Sequence, residues 1–346
     1  MVKMKLSIGY HAGGDDGKDC SWSREVSPYR GSVGEVFFSL PGMASGVRQA
    51  DSPQVSEASR FYRDLERFRA LGIQGVLLFD AACYGGGMVS PAFFEQVRRG
   101  IAEARRHIRL KAVVTMMPPL AEFMKGIHPE LEVRASVHNR IGSVSQMEYA
   151  GRCYDGFYVN SDLNRDVSLL EKARKWCDAH GKTLHMVANS GCLYDCPFHL
   201  EHLNVMGHWA EIVAAGSTRS SRDMPCRELL SGTGNHAKLL QGGWIRPEDL
   251  SRVEGFFDTV ALLSSDVPQA RNVLKAYTEG RWGGNMLELL EPCHACLAGV
   301  PSFPDDAFPE DWFEKTSSCG HACDSCGYCG AVLEKMSSAA SSKGGE

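Results

Sequence analysis

The sequence has no long hydrophobic run, since none of its apolar stretches approaches the roughly 18 consecutive residues of a membrane helix. Its first residues, MVKMKLSIGYHAGGDD, also lack the apolar core of a secretory signal peptide. The net charge of −5 over 346 residues is mild, and no platform of aromatic and basic residues is evident, so nucleic acid is not an expected partner. These absences predict a cytoplasmic protein that does not associate with a membrane.

Three widespread catalytic signatures are missing as well. No GxGxxG opens a helix after a strand, so a dinucleotide-binding fold has no positive support. The GxSxG elbow of serine hydrolases and the HExxH helix of zinc proteases are also absent. A hydrolase would therefore have to use a thiol paired with a base, such as Cys192 or Cys196 with His199.

What the chain has in excess is cysteine, with 13 in 346 residues. Without export, disulfides are not expected, and an odd number leaves at least one thiol unpaired. Most of the cysteines fall in two groups, within segments 192–226 and 293–329. Cys177 differs, because it lies within an amphipathic helix pattern and is expected to be a small buried residue. Thiolates suit soft metals, so the two groups predict metal ligation.

Short apolar runs alternate with amphipathic stretches along most of the chain. Eight runs are predicted as strands, at 5–10, 35–41, 74–79, 110–116, 131–137, 156–159, 183–189 and 259–263. Most are followed by a helix pattern, which predicts an α/β fold with a parallel sheet closed into a (β/α)8 TIM-type barrel. The rival is an open, doubly wound sheet. No clear helix separates the first two strands, which leaves a barrel-plugging hairpin open.

Composition divides the chain into three parts. Residues 1–290 are predicted to form the barrel with an iron–sulfur site, and residues 291–332 a cysteine-rich, metal-binding C-terminal extension. Residues 333–346 contain SSAASSKGGE, a low-complexity sequence that is expected to be disordered. Pro118-Pro119 is predicted to end the fourth strand, and Pro247 to open a helix.

Polar residues follow the predicted strands, at the end where TIM barrels carry their chemistry. Six are candidate substrate-binding residues: Asp80, Asn160, Asp162, Asn164, Arg165 and Asn189. Three histidines, His138, His199 and His202, are candidates for moving protons, because imidazole titrates near neutrality. The alternative for the Asn and Asp residues is that they cap the helices that follow.

The segment HMVANSGCLYDCPFHLEHLNVMGH, residues 185–208, holds two cysteines on one loop after a strand. Cys192 and Cys196 are spaced to hold adjacent corners of an iron–sulfur cluster or half of a zinc site, and Cys226 follows thirty residues later. Zinc usually has a second close pair nearby, so these scattered ligands fit a cluster at a barrel mouth better. Glycine, proline and histidine flank the cysteines, which disfavours simple core residues.

The C-terminal cysteines are the strongest metal signal in the chain. They lie in CHAC and CGHACDSCGYC, as Cys293, Cys296, Cys319, Cys323, Cys326 and Cys329. Four cysteines within eleven residues indicate a cluster or a zinc ion, and both remain open. Three of them also have the CxxxCxxC spacing of radical SAM enzymes. In that family the motif follows the first barrel strand, whereas here it follows the last helix, which favours an auxiliary cluster or a structural metal.

The order of several motifs resembles that of the U-32 peptidase family, the collagenase-like proteases. The matching pieces are NSGCLYDC, Cys226-Arg227, RPEDL and TVALLSSDVPQARNVLKAYTEG, within residues 35–290. The resemblance implies a TIM barrel with a 4Fe–4S cluster on four cysteines. It would assign three of those places to Cys192, Cys196 and Cys226. The family's fourth cysteine lies near the Asp-Leu helix, but residues 246–260 contain none, so Cys293 or Cys296 is the expected substitute.

The resemblance further implies oxygen-independent hydroxylation or a related modification, here of a small molecule or peptide. An electron donor or partner subunit would then be needed, and the C-terminal cysteines would carry a second cluster that relays electrons, or zinc. One alternative is a peptidase of the U-32 type. The other is a non-catalytic iron–sulfur scaffold that docks a partner.

Overall fold

A closed barrel of eight parallel strands forms the centre of the protein, in a computed structural model that describes residues 4–12, 21–43, 58–216 and 224–343. The strands are β1 (Lys5–Gly9), β2 (Val33–Phe38), β3 (Gln74–Phe79), β4 (Leu110–Thr115), β5 (Glu132–Ala135), β6 (Gly156–Tyr158), β7 (Thr183–Val187) and β8 (Thr259–Leu262). They follow chain order around the barrel, and β8 pairs with β1 to close it. The predicted TIM-type barrel is confirmed.

Alternate residues of each strand face opposite sides of the barrel wall, as the period of a strand requires. Val76 and Val114 belong to a small apolar cluster inside the barrel, together with Tyr158. Their neighbours Leu77 and Val113 belong to the larger core outside the wall. Because both faces are buried, the strands read as nearly continuous apolar runs, which is why the sequence reveals them.

Helices alternate with the strands. They are α1 (Trp22–Val26), α2 (Ala58–Ala70), α3 (Pro91–His107), α4 (Pro118–Ile127), α5 (Val144–Ala150), α6 (Val167–His180), α7 (His199–Gly207), α8 (Trp209–Ala214), α9 (Pro225–Ser231), α10 (Ala237–Gln241), α11 (Val267–Glu279), α12 (Trp312–Ser317) and α13 (Tyr328–Lys343). Asp166 and Asp266 cap α6 and α11 by accepting backbone N–H bonds. None of the helices in these ranges is long and apolar enough to cross a membrane.

One local prediction is wrong, and two others are correct but incomplete. The first two strands are parallel neighbours with α1 between them, not a hairpin, because the single turn of α1 is too short to give a clear helical period. The fourth strand ends before Pro118 and Pro119, as predicted, and these prolines also open α4, since proline is well suited to the first turn of a helix. Pro247 opens a helix, as predicted, and this helix is a 3-10 helix, Pro247–Arg252.

A buried ion network fills the barrel near the N-terminal ends of the strands. Arg134 donates two hydrogen bonds of 2.8 Å to Glu35 and one of 2.7 Å to Glu132, and His185 Nε2 lies 3.0 Å from Glu132. Burial alone would raise the pKa of Glu35, but the bonds and charge of Arg134 outweigh it and lower the pKa to about 2. This network fills the N-terminal end of the barrel with charged groups that are paired with one another.

The C-terminal extension packs onto the barrel as part of the same core. Phe303 and Trp312 are at most 1% exposed and belong to the main apolar cluster. The indole of Trp312 stacks on that of Trp244 with 6.1 Å between ring centroids. Helix α13 runs into the segment expected to be disordered, 333–346, and its Met336, one turn after Val332, is buried in this core.

Candidate functional site

A cavity of about 640 Å³ opens at the C-terminal ends of the strands. Its wall comes from the loops after several strands, with His11 after β1, His138 after β5, Asp162 after β6 and Cys192 after β7. The opposite end of the barrel is filled by the ion network, so this mouth is where a ligand can reach the barrel axis. TIM-barrel enzymes place their active sites at this end.

Four cysteines from three separate segments line this one cavity. They are Cys192, Cys226, Cys293 and Cys296. Cys196 does not line the cavity, but its thiol is near enough to those of Cys192 and Cys226 to raise their pKa. The segment after β8 and α11 thus brings two cysteines from the C-terminal extension to the barrel mouth.

Backbone pairing joins the Cys192 loop to the Cys293 segment. Gly191 N donates to Glu291 O at 2.7 Å, Glu291 N donates to Asn189 O at 2.9 Å, and His294 Nε2 lies 3.0 Å from Gly191 O. A Cβ built on Gly191 would lie 2.3 Å from the carbonyl oxygen of Pro292, so only glycine permits this approach. Glycine is therefore required at position 191, directly before Cys192, for the two segments to pair this closely.

A second link connects Cys226 with Cys296. Arg227, the neighbour of Cys226 on α9, donates from Nη2 to the sulfur of Cys296 at 3.5 Å. The Cys-Arg pair seen in the sequence thus places one residue on the cavity wall and a positive charge beside a second thiol. Arginine next to thiolates stabilises their charged form.

The donor set fits an iron–sulfur cluster in its chemistry. Burial raises the pKa of Cys192, and the nearby thiols of Cys196 and Cys226 raise it further, so a bound cation would have to displace protons. In the part of the chain that the structure describes, no three His, Cys, Asp or Glu side chains are gathered tightly enough to hold one metal ion. Thiolates are the ligands that iron–sulfur clusters use, and here they face one cavity from three segments.

The three predicted histidines come together in the cavity. The rings of His138 and His199 are 5.4 Å apart, and His202 lies one turn later on the same helix, α7. Burial lowers the pKa of all three, and for His138 the two neighbouring imidazoles lower it further. All three are therefore neutral near pH 7 and able to accept a proton.

Asp80 lies behind His138 and does not line the cavity. Its Oδ2 accepts a 2.6 Å hydrogen bond from Ser136 Oγ and lies 3.8 Å from His138 Nε2. Burial raises the pKa of Asp80 to about 8. At neutral pH this carboxyl group keeps its proton, which is unusual for aspartate and typical of functional sites.

Asp162 holds the cysteine loop in place while facing the cavity. Arg140 Nη2 donates to Asp162 Oδ2 at 2.7 Å and to Asp195 Oδ1 at 3.1 Å, and the Asp195 N–H bonds Asp162 Oδ2 at 3.2 Å. Asn160, also predicted, lines the same wall. Arg140 adopts a left-handed conformation with φ 51°, a strained position of the kind found at functional sites.

Three of the predicted substrate-binding residues point away from the cavity. Asn189 bonds the backbone of Leu263 and Leu289, and Asn164 donates to Val187 O at 2.7 Å. Arg165 is 3% exposed and reaches the C-terminal extension. These residues do follow strands, as predicted. Their side chains, however, form hydrogen bonds with buried backbone groups, which need partners.

Sequence reasoning did not assign some residues that the cavity contains. His11 Nε2 is 2.8 Å from Ser264 Oγ, and burial lowers the pKa of His11 to about 4. Arg140, Arg227 and His294 also line the wall. His11 directly follows a strand, a position from which a role at the barrel mouth can be predicted. His294 reaches the cavity only through the pairing of distant segments, which no local pattern predicts.

The four cysteines of the CGHACDSCGYC segment lie outside the cavity. Cys319, Cys323, Cys326 and Cys329 sit on the loop before α13 and at its start, with exposed or half-buried side chains. The charge of the buried Arg165 interacts with three of them, Cys319, Cys323 and Cys329. The structure therefore separates the cysteines into two sites.

Comparisons with known proteins agree with this architecture. No protein-family model matches the chain. It is 24% identical over 265 residues to the uncharacterized protease MJ1657 of Methanocaldococcus jannaschii, covering 75% of this chain and 76% of that protein. Among solved structures, the U32 peptidase Mk0906 superposes with a TM-score of 0.54 at 16% identity, covering 77% of this chain and 95% of that one.

Fold and site together define a (β/α)8 barrel with a thiol-lined cavity at its mouth. Within that class, the chain is similar in sequence to a protein named a protease, and it shares its fold with a U32 peptidase, as the resemblance in motif order implies. One relative is named a protease and the other a peptidase, and neither name mentions a metal.

Proposed function

We propose that this protein is an iron–sulfur-dependent redox enzyme that modifies a small molecule or peptide in the barrel mouth without using oxygen. One observation carries the proposal: four cysteines from three segments line a single cavity together with three neutral histidines. The 4Fe–4S cluster would be held by Cys192, Cys196 and Cys226, with Cys293 or Cys296 as the fourth ligand. When bound, it would supply electron transfer or a binding point for a substrate oxygen atom.

The chain's own residues have separate tasks in this proposal. Arg140 and Asp162 fix the cysteine loop and offer polar atoms to the substrate, with Asn160 beside them. His138, whose ring lines the cavity and is neutral at pH 7, exchanges a proton with the substrate. Asp80, 3.8 Å from His138 Nε2, keeps its own proton at this pH and therefore places no negative charge beside the imidazole.

The test is the metal content of protein purified without oxygen. We expect about four irons and four sulfides in the barrel site, lost with Cys192→Ala. Cys177→Ala is the matched control, because Cys177 is a buried thiol on α6 that faces no other cysteine group, and it should keep its iron. Cys293→Ala and Cys296→Ala then identify the fourth ligand. Unchanged iron in Cys192→Ala would contradict the proposal.

A peptidase is the second candidate, favoured by the names of both relatives. The cavity supports it in one respect, since thiols and imidazoles line the same wall, as a cysteine hydrolase needs. This reading predicts cleavage of a denatured protein substrate that survives air and iron chelation. The redox reading predicts no such cleavage. A stable cluster that gives turnover only with a second protein would instead indicate the scaffold role.

A further inference from the structure

A buried positive charge, that of Arg165, lies near the C-terminal cysteines, and no carboxylate among the described residues forms an ion pair with it. Arg165 follows β6, is 3% exposed, and donates from Nη2 to the carbonyl oxygens of Leu240 and Gly242. Its Nε and Nη1 have no hydrogen-bond partner within the described ranges. A buried guanidinium is costly unless its charge and donors are matched, so this one calls for an anionic neighbour.

The neighbours of Arg165 are thiols and aromatic rings. Its guanidinium lies 5.7 Å from the ring centre of Trp244 and 5.3 Å from that of Trp312. Its charge interacts with Cys329, Cys319 and Cys323, and also with Asp249, which is itself paired with Arg246. Protonated thiols are poor partners for a charge. Thiolates bound to a metal are negative, so they would offset the buried charge of Arg165.

The four thiols form one group. The charges of Cys319, Cys323 and Cys326 all act on Cys329, and Lys238 on α10 adds a second positive charge beside Cys323. His321, within the same loop, has a left-handed backbone with φ 54° and a ring Nε2 without a partner in the described part of the chain.

An aromatic stack fixes this loop against the barrel site. The rings of His321 and Tyr194 are 4.1 Å apart and nearly parallel, at 5°. Tyr194 stands between Cys192 and Cys196, and His321 between Cys319 and Cys323. The two cysteine groups are therefore adjacent, with the C-terminal group behind the loop that lines the cavity.

We propose that Cys319, Cys323, Cys326 and Cys329 bind a second iron–sulfur cluster, and that Arg165 is its positioning residue, whose buried positive charge offsets the negative charge of the cluster and its thiolates. The site is independent of the barrel cluster, so it stands or falls separately from the proposed function.

The experiment uses the full chain carrying Cys192→Ala, purified without oxygen, so that the barrel site contributes no iron. We expect about four irons and four sulfides to remain, and adding Cys323→Ala to remove them. The same protein without Cys192→Ala should lose about half of its iron on Cys323→Ala, which covers the case that Cys192→Ala does not fold. Zinc in place of iron, or no metal at all, would overturn the proposal.

The role of Arg165 is read from the reduction potential of that cluster, measured by dye-mediated titration. Arg165→Met removes the positive charge and should lower the potential, because a nearby positive charge favours the reduced, more negative cluster. Arg165→Lys keeps the charge and should shift it less. Arg246→Met is the control: this arginine also lies over a ring of the extension, Phe308, but it is paired with Asp249. Equal potentials in wild type and Arg165→Met would overturn the assignment.

Discussion

The two cysteine groups differ in what surrounds them. The barrel group faces a cavity of about 640 Å³ with histidines and an aspartate on its wall, whereas the four C-terminal cysteines lie outside it. Their buried neighbour is Arg165, enclosed by two tryptophans. One group therefore has room for a substrate and groups that move protons, and the other has only charge compensation. Under our proposals, this difference would assign the chemistry to the barrel site and electron storage to the C-terminal site.

The largest expected effect is that of Trp312→Ala, which should affect the C-terminal extension more than the barrel. Trp312 packs between Trp244 and Tyr328 and covers Arg165, so Trp312→Ala should cost about 3–5 kcal/mol of the free energy of unfolding. We expect it to remove metal from the C-terminal group before the barrel group. Chemical denaturation and metal analysis measure both effects. Trp176→Ala, on helix α6 away from both groups, is the control; an equal loss of metal there would break the comparison.

The second effect belongs to the barrel site and depends on pH. The folded-state pKa of Asp80 is raised to about 8, above its usual value, so the folded protein keeps a proton that the unfolded chain releases. Its contribution to stability is present at low pH and declines as the pH rises toward 8, by at most about 1.4 kcal/mol per pH unit.

Asp80→Asn, which cannot ionise, should remove this decline. Denaturant titrations of both proteins at pH 5 and pH 8 would show it, with the variant gaining relative stability at the higher pH. Glu130→Gln serves as the control, since Glu130 is an exposed carboxylate paired with Arg105. Parallel pH profiles for wild type and Asp80→Asn would contradict a protonated Asp80.

The smallest effect tests the contact between Arg227 and Cys296. The 3.5 Å contact is on the surface, so Arg227→Met should change stability by less than about 1 kcal/mol. We nevertheless expect faster loss of iron from the barrel site to a chelator, followed by absorbance. Arg271→Met, which removes an exposed arginine paired with Glu25, should leave that rate unchanged. Identical rates of iron loss in Arg227→Met and wild type would show that Arg227 does not stabilise Cys296 as a cluster ligand.

The strands could be predicted from sequence because their burial on both faces gives short apolar runs that turns interrupt. Helix α4 could not be predicted in this way, since a proline pair fits both the end of a strand and the first turn of a helix. Helix α1 is only five residues long, Trp22–Val26, so it shows no period. Local patterns therefore predict the barrel and leave its short connections undetermined.

The candidate site was predictable only in part, because asparagine after a strand has two uses. Asn160 faces the cavity, but Asn164 and Asn189 satisfy buried backbone groups, and no local pattern tells these apart. The approach of Cys293 to Cys192 depends on a bridge between Ser190 and Glu291, about a hundred residues apart. Such contacts follow from the closed fold and not from residue spacing.

Counting iron, sulfide and zinc per chain in anaerobically purified wild type, Cys192→Ala and Cys323→Ala tests the central claim most directly, namely that the cysteines form two separate iron–sulfur sites. We predict about eight irons in wild type and about four in each variant, with sulfide in equal amount. Zinc in place of iron, or one variant losing all the iron while the other loses none, would contradict it.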